Sequence, residues 1–237
     1  MTSSTLAAMT ISPAFSADPE LIERVRENLA AVRGRIAVAG GDAERIRVVA
    51  VTKSFGPEAV HAAVRAGLMT LGENYLGELE AKRAVLGEIG VRWHFLGALQ
   101  SNKIRRAARA ADVLCGVSRR KELTSIANAS PGASIYVEVE TTGLATRNGA
   151  PVDDVGALVD EGRRLGLDVR GLMTVAPPDE AGTRRAFALT NGLADQLGVA
   201  ERSMGMSDDL ELACQYGTTE VRLGRALFGP RPVPRRA

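Results

Sequence analysis

The stretch VVAVTKSF, residues 48–55, is an apolar run that ends on a lone lysine, Lys53, followed by a turn. Seven further short apolar runs each end in a polar or glycine-bearing turn, at 69–74, 93–97, 112–118, 134–140, 171–176, 202–207 and 220–224. The segments between the runs are long enough for crossover helices, which predicts alternating strands and helices rather than hairpins. Eight such units, with strands buried on both faces, favour a closed (β/α)₈ barrel of the TIM type over an open doubly wound sheet.

The intervening segments carry helix signals. PEAVHAAVRAG (57–67) starts with a proline and closes on a glycine, and SDDLELACQYG (207–217) predicts a helix capped by Ser207. Before the first strand, segment 19–38 predicts a helix that packs outside the barrel or covers its base, with one apolar face made of Ile22, Val25, Leu29, Val32 and Ile36.

Composition limits the classes of protein. A chain of 237 residues with 45% hydrophobic content can bury one large core, which predicts a single barrel domain over residues 18–230. Residues 1–17 predict a disordered extension rather than a signal peptide, and residues 231–237 predict a basic solvated tail. No apolar run is long enough to cross a bilayer. Thirty basic and 28 acidic residues, interspersed along the predicted helices, give no nucleic-acid footprint.

The two cysteines, Cys115 and Cys214, lie far apart in sequence. Neither a disulfide framework nor metal-ligand spacing is present, so we predict two buried free thiols, a cytoplasmic location and no metal site.

Barrel proteins place their sites at the carboxyl ends of the strands, where Lys53 and Arg222 are expected to meet. A lysine that loses part of its hydration there favours the neutral amine that attacks an aldehyde, although an ordinary exposed lysine is an equal alternative. In RSMGMSDD (202–209), a glycine-bearing turn leads into a helix, which predicts an anion site. Gly224 follows the eighth strand, where barrels hold phosphates. Together these features predict a ligand with an aldehyde and a phosphate, the shape of pyridoxal 5′-phosphate (PLP).

Six motifs in order resemble the signature set of the pyridoxal phosphate homeostasis proteins, the YggS/PROSC type, over about residues 20–230. They are VVAVTK (48–53), GENY (72–75), HFLGALQSNK (94–103), GLMTV (171–175), SMGMSDD (203–209) and VRLGRALFG (221–229). The resemblance implies a single-domain barrel like the N-terminal half of bacterial alanine racemase, a fold type III PLP protein. It also implies a cofactor held by the strand-one lysine and no established turnover.

Carried over by position, the resemblance implies an internal aldimine, a Schiff base, on Lys53. It also implies Arg222 at the ring nitrogen, where an arginine leaves the ring a weaker electron sink than an acid would. The other implied cofactor contacts are Asn74 beside the ring and a phosphate cradle made by Ser203, Met204, Gly205, Met206, Ser207, Gly224 and Arg225.

Two departures from the family pattern concern this site. Segment YVEVETTGLATRNG (136–149) carries Glu138, Glu140 and, in place of a second lysine, Arg147. Arg225 replaces a small hydroxyl residue and could either pair with phosphate or point to solvent. We expect His94 to be a hydrogen-bonded pocket or core residue and Glu73 to be a supporting carboxylate, while Lys103 receives no role.

Three functions remain open from the sequence. The first and favoured is a non-catalytic, monomeric PLP binder that stores, buffers or delivers cofactor, with PLP-dependent enzymes as possible clients. The second is a weak amino-acid racemase, which the absence of an appended domain with a catalytic tyrosine disfavours. The third is a sugar-phosphate enzyme with Lys53 as an aldolase-type amine.

Overall fold

Eight parallel strands close into a barrel in chain order, which confirms the predicted fold. The computed structural model describes residues 17–87, 89–144 and 147–231. The strands are β1 Arg47–Val51, β2 Thr70–Glu73, β3 Arg92–Phe95, β4 Val113–Val117, β5 Ser134–Val139, β6 Asp168–Thr174, β7 Glu201–Ser203 and β8 Glu220–Leu223. The barrel closes where β1 pairs with β8, and this register places Val49 opposite Arg222.

Helices alternate with the strands and form the outer layer. In the described part of the chain they are α1 Pro19–Val38, α2 Pro57–Arg65, α3 Leu76–Leu86, α4 Ile104–Ala110, α5 Arg120–Ala129, α6 Val152–Arg164, α7 Glu180–Gln196, α8 Leu210–Gln215 and α9 Arg225–Phe228. Local sequence explains several boundaries. Pro19 and Pro57 stand at helix starts, where a missing N–H costs nothing, and the Asp18 side chain caps α1 by accepting from the Glu20 amide at 3.0 Å.

Helix α1 packs outside the barrel against α2, α8 and α9, which is the first of the two predicted placements. Val25, Val32 and Ile36 from its apolar face are buried. The Asn28 side chain also donates to the Leu227 carbonyl at 2.8 Å. The helix therefore links the start of the fold to its last turn.

The predicted start of α8 at Ser207 is wrong, because the helix begins at Leu210 after Asp209. The Ser207 hydroxyl accepts from the Ala226 amide at 3.1 Å, and the Asp209 carboxylate accepts from the Met206 amide. Both side chains therefore stabilise the turn after β7 rather than a longer helix.

The sequence predicts strands that are apolar on both faces, but the barrel interior is more polar than this. Its buried side chains include the charged or titratable residues His94, Glu138, Glu220 and Arg222. At the amino end of the strands, Arg47 donates to Glu220 at 3.0 Å and to Glu201 at 2.6 Å. Buried charges are retained when they are paired and hydrogen-bonded, as these are.

The predicted terminal segments, 1–17 and 231–237, lie outside the described residues apart from Ala17, which is buried, and Arg231, which is exposed. Both cysteines are free and buried, as expected. Within 17–87, 89–144 and 147–231, no helix combines the length and apolar character needed to span a membrane.

Candidate functional site

Lys53 lies two residues beyond the end of β1, in a turn at the carboxyl end of the barrel. The residue is half-buried, and burial lowers the pKa of its amine. The positive charge of Arg231 lowers this pKa further, and Arg222 adds to the effect, whereas Glu73 and Glu78 oppose it. The result is an amine that gives up its proton more readily than a surface lysine.

Arg222 lies on β8, next to β1, and its side chain is buried. One guanidinium nitrogen donates to the Ser203 hydroxyl at 2.8 Å and to the Ser203 carbonyl, and the other donates to the Thr174 carbonyl at 2.7 Å. These bonds to β6 and β7 fix the guanidinium across the barrel. The structure thus brings together the two predicted cationic groups, Lys53 and Arg222.

Beneath Arg222, a hydrogen-bonded column descends into the barrel. The Ser203 hydroxyl donates to Glu220 at 2.7 Å while it accepts from Arg222, so Arg222, Ser203 and Glu220 form what we call the polar column. Burial alone would raise the pKa of Glu220, but the neighbouring His94 imidazole and hydrogen bonds from Ser203 and Arg47 lower it to about 2. An ionised Glu220 therefore anchors the column.

His94 is buried beside this column, as expected of a pocket or core residue. Its Nδ1 lies 3.7 Å from Glu220 Oε2 and 3.7 Å from Cys115 Sγ. His94 thus lies against Glu220 at the base of the column and against Cys115 and Tyr136.

The end of β7 and the turn that follows it hold five predicted phosphate residues, 203–207. Gly205 has φ +99°, and a Cβ there would lie 2.5 Å from the Ala213 side chain, so only glycine fits against α8. The Met204 side chain is fully buried in a small cluster with Phe187, which leaves only its backbone near the turn. Met206 is partly exposed.

The turn after β8 lies against this first turn. The Arg222 amide donates to the Gly205 carbonyl at 3.0 Å, and Ser207 accepts from Ala226. Gly224 approaches β1 closely, because a Cβ there would lie 3.1 Å from the Val51 carbonyl oxygen. Arg225 forms an ion pair with Asp208 on the neighbouring turn, largely exposed to solvent.

Several amide groups of the two turns have no internal acceptor. Within the described part of the chain, none of the N–H groups of Gly205, Ser207, Gly224 and Arg225 donates a hydrogen bond to the protein. Unbonded amides beside a glycine turn are the usual donors for a phosphate. These donors, the amine of Lys53 and the guanidinium of Arg222 fit PLP: an amine for its aldehyde, a cation for its ring nitrogen and amides for its phosphate.

Asn74 follows β2 and lines a cavity of about 200 Å³ at the mouth, together with Gly97, Glu138 and Arg147. Burial raises the pKa of Glu138, which the hydrogen bond from Asn148 opposes. A second cavity of about 460 Å³ shares Arg147 and also contains Arg119 and Arg120. Lys103 lies outside both cavities, exposed just before α4.

Sequence reasoning missed the groups that support the site. The sequence places Glu220 only within a predicted strand and gives Lys82 on α3 no role, yet Lys82 donates to the Thr52 carbonyl beside Lys53 at 2.8 Å. Lys82 also forms an ion pair with Glu73 on β2.

Comparisons with known proteins define the class first. Residues 22–232 match the family described as alanine racemase, N-terminal domain. An alanine racemase of Clostridium difficile shares this fold, with a TM-score of 0.69 at 16% identity over 92% of this chain and 59% of its own. The barrel is therefore of the alanine racemase N-terminal type.

Two relatives narrow the class. A pyridoxal phosphate homeostasis protein of Pseudomonas aeruginosa is 38% identical over 220 residues, which cover 87% of this chain and 96% of that protein. The structure of PipY from Synechococcus elongatus PCC7942 with PLP bound matches with a TM-score of 0.75 and 30% identity, over 86% of this chain and all of PipY. The chain belongs to the family of pyridoxal phosphate homeostasis proteins.

Proposed function

We propose that this chain binds pyridoxal 5′-phosphate at the carboxyl end of its barrel and serves vitamin B6 homeostasis by holding the cofactor. The observation that carries the proposal is the arrangement of three donor groups: the half-buried amine of Lys53, the buried guanidinium of Arg222 and the unbonded amides of two adjoining turns. The names of the curated relatives and the PLP-bound structure of PipY support it.

Lys53 is the proposed point of covalent attachment. When bound, the cofactor supplies an electrophilic aldehyde carbon. Lys53 attacks with its uncharged amine, and a pKa lowered by burial raises the fraction of that form near neutral pH. Lys82 is the other lysine near this turn, but its ammonium is held by Glu73 and by the Thr52 carbonyl.

Arg222 is the residue that, in this proposal, prevents catalytic turnover of the bound cofactor. A guanidinium stays protonated in proteins, so Arg222 donates a hydrogen bond to the ring nitrogen and keeps its own proton. Its bonds to Ser203 and Thr174 hold it in that position. Because no acid protonates the ring there, we propose that the protein binds the cofactor without catalytic turnover.

The two turns complete the proposed binding site. The unbonded amides donate to phosphate oxygens, and Asn74 lines the ring side of the mouth cavity. The Ser203 hydroxyl already serves Glu220 and Arg222, so direct contact between this hydroxyl and the phosphate stays a prediction that would require those bonds to be exchanged. The monomeric state, the cytoplasmic location and delivery to client enzymes also stay predictions.

Replacement of Lys53 tests the attachment. Protein incubated with PLP and reduced with borohydride should carry a pyridoxyl group on the peptide that contains Lys53. Lys53→Ala should lose this adduct. It should keep its circular dichroism spectrum, because the half-buried Lys53 side chain belongs to a turn and not to the hydrophobic core. Lys121→Ala, at an exposed position on α5, is the matched control and should label like the wild type.

The same preparation tests the absence of turnover. In D₂O, wild-type protein loaded with PLP should exchange the α-proton of L-alanine no faster than free PLP does. Faster exchange that disappears in Lys53→Ala would instead support the weak racemase. A wild-type protein that forms no adduct would overturn the proposed function.

A further inference from the structure

The turn that carries Lys53 has a costly backbone conformation. Ser54, the next residue, has φ +66° and is the one non-glycine residue with positive φ in the described part of the chain. Such a conformation persists only when surrounding groups enforce it, and it is common at functional sites. The groups that hold Ser54 in this conformation therefore also determine where Lys53 lies.

Side chains from one neighbouring unit, β2 and α3, bind the chain on both sides of Lys53. On the near side, Lys82 Nζ donates to the Thr52 carbonyl at 2.8 Å, and the Thr52 hydroxyl donates to Glu73 Oε1 at 2.6 Å. On the far side, the Ser54 amide donates to Glu78 Oε2 at 2.8 Å. Lys53 is thus the residue between two clamped neighbours.

The three charged residues, Glu73, Glu78 and Lys82, form what we call the β2–α3 charge cluster. Lys82 Nζ lies 2.5 Å from Glu73 Oε1 and 3.4 Å from Glu78 Oε2. Lys82 is 5% exposed and Glu73 is fully buried. Burial of charges this deep is expensive, so stability alone does not explain this buried ion pair.

One atom of the cluster has no partner. Glu73 Oε2 is buried and makes no hydrogen bond to the described residues. Burial raises the pKa of Glu73, against the effects of Lys82 and of the Thr52 hydroxyl. Its charge nevertheless acts on Lys53, so the carboxylate lies within electrostatic reach of the amine.

We infer that the β2–α3 charge cluster positions Lys53, with Lys82 and Glu78 fixing the backbone on its two sides and the two carboxylates balancing the charge of the neighbouring cations. The inference rests on the proposed function, in which the Lys53 nitrogen forms a C=N bond with the aldehyde carbon. In that step the aldehyde oxygen leaves as water together with the two amine hydrogens. The cluster stays unchanged in it.

The charges around Lys53 determine in which direction a substitution in the cluster should move its pKa. Arg231 in the last described segment and Arg222 on β8 lower the pKa of Lys53, in addition to burial, whereas Glu73 on β2 and Glu78 on α3 raise it. Removal of the negative charge at residue 78 should therefore lower the pKa of Lys53. The amide oxygen of a glutamine can still accept from the Ser54 amide, so Glu78→Gln separates the charge from the hydrogen bond.

Amine labelling of aldehyde-free protein measures this directly. The full-length chain is stripped with hydroxylamine and dialysed, then labelled with acetic anhydride across a range of pH, and the Lys53 peptide is quantified by mass spectrometry. The labelling midpoint should move to lower pH in Glu78→Gln. Glu80→Gln is the matched control, since Glu80 lies on the same helix with the same 33% side-chain exposure but pairs with Arg106.

Lys82→Met is the second variant, with Lys121→Met as its control. We expect slower covalent attachment of PLP, followed by absorbance, in a protein that keeps its circular dichroism spectrum. Should Lys82→Met fail to fold, Glu78→Gln decides alone. Coincident labelling profiles for wild type and Glu78→Gln would overturn the inference while a borohydride-trapped adduct on wild-type Lys53 still upholds the proposed function. A missing wild-type adduct would overturn the function itself.

Discussion

At residue 203, one hydroxyl group joins an acid low in the barrel to the arginine at its mouth. Ser203 donates to Glu220 at 2.7 Å and accepts from Arg222 at 2.8 Å. The side chain is fully buried, so no solvent replaces these bonds when the hydroxyl is removed. Its function is therefore to orient Arg222.

Ser203→Ala should destabilise the protein by roughly 1–3 kcal/mol, the cost of leaving buried polar groups without a partner. Urea unfolding measures the change. Ser125→Ala is the control, because the Ser125 hydroxyl only donates to a carbonyl within its own helix. Unchanged stability combined with a large loss of phosphate affinity would show instead that Ser203 contacts the phosphate directly.

The site residues that the sequence could predict are those marked by their immediate neighbours in the chain. Lys53 follows an apolar run, and Arg222 lies within a strand beside a glycine turn, so both were found. The roles of Lys82 and Glu220 could not be found in this way, because Lys82 bonds to Thr52 and Glu220 to Ser203, which belong to other parts of the fold. Their importance depends on distances that only the closed barrel establishes.

At the scale of elements, the turn after β7 depends on a glycine that no other residue can replace. Gly205 combines φ +99° with a Cβ position 2.5 Å from the Ala213 side chain on α8. Gly205→Ala should therefore push α8 outward and cost roughly 1–3 kcal/mol, as other overpacked sites do. It should also weaken PLP binding, which fluorescence titration can follow.

Gly192→Ala provides the contrast within a helix. Gly192 lies inside α7, and a Cβ there would meet no atom within 4 Å. We expect this substitution to stabilise the protein by roughly 0.5–1 kcal/mol, because alanine loses less entropy in a helix. Equal effects of the two substitutions would contradict the packing described for Gly205.

The same turn shows why helix ends are harder to predict than helices. Ser207 followed by two acids is a good capping pattern, but Ser207 and Asp209 instead bond to the amides of Ala226 and Met206. A competing donor on another element, the Ala226 amide of α9, occupies the Ser207 hydroxyl and so decides where α8 begins. Helix 19–38, which has no such competitor, was predicted to the residue.

At the scale of the whole molecule, buried carboxyls with opposite pKa shifts give the protein a distinctive pH dependence. Glu220 is held as a carboxylate, with its pKa lowered to about 2 although burial alone would raise it, whereas burial raises the pKa of Glu73 and Glu138. An unfolded glutamate titrates at about 4.3. Glu220 therefore stabilises the fold above that pH, and its contribution is lost as pH falls towards 2.

Glu220→Gln should flatten the loss of stability between about pH 4.3 and 2, because the variant has no carboxylate to protonate there. Urea unfolding at several pH values measures this slope, with Glu44→Gln at an exposed position as the control. Above pH 4.3, Glu73 and Glu138 act in the opposite sense, so stability should rise as they take up protons. An acid slope in Glu220→Gln equal to that of the wild type would contradict the role given to the polar column.

The architecture itself was predictable because alternation of apolar runs and helical segments is a property of the whole sequence. Eight runs became eight strands in a closed barrel, and the family motifs indicated where its mouth lies. The polar interior was not predictable. Polar and apolar side chains alternate visibly in β8 (EVRL) and β3 (RWHF), but only barrel closure brings Glu220 and His94 within 3.7 Å of each other.

The most direct test of the account is a crystal structure of the wild-type chain with PLP. It should show continuous density from Lys53 Nζ to the cofactor, Arg222 at the ring nitrogen and the phosphate between residues 205–207 and residues 224–225. A cofactor in the cavity lined by Arg119, Arg120 and Arg147, with Lys53 unmodified, would contradict the central claim.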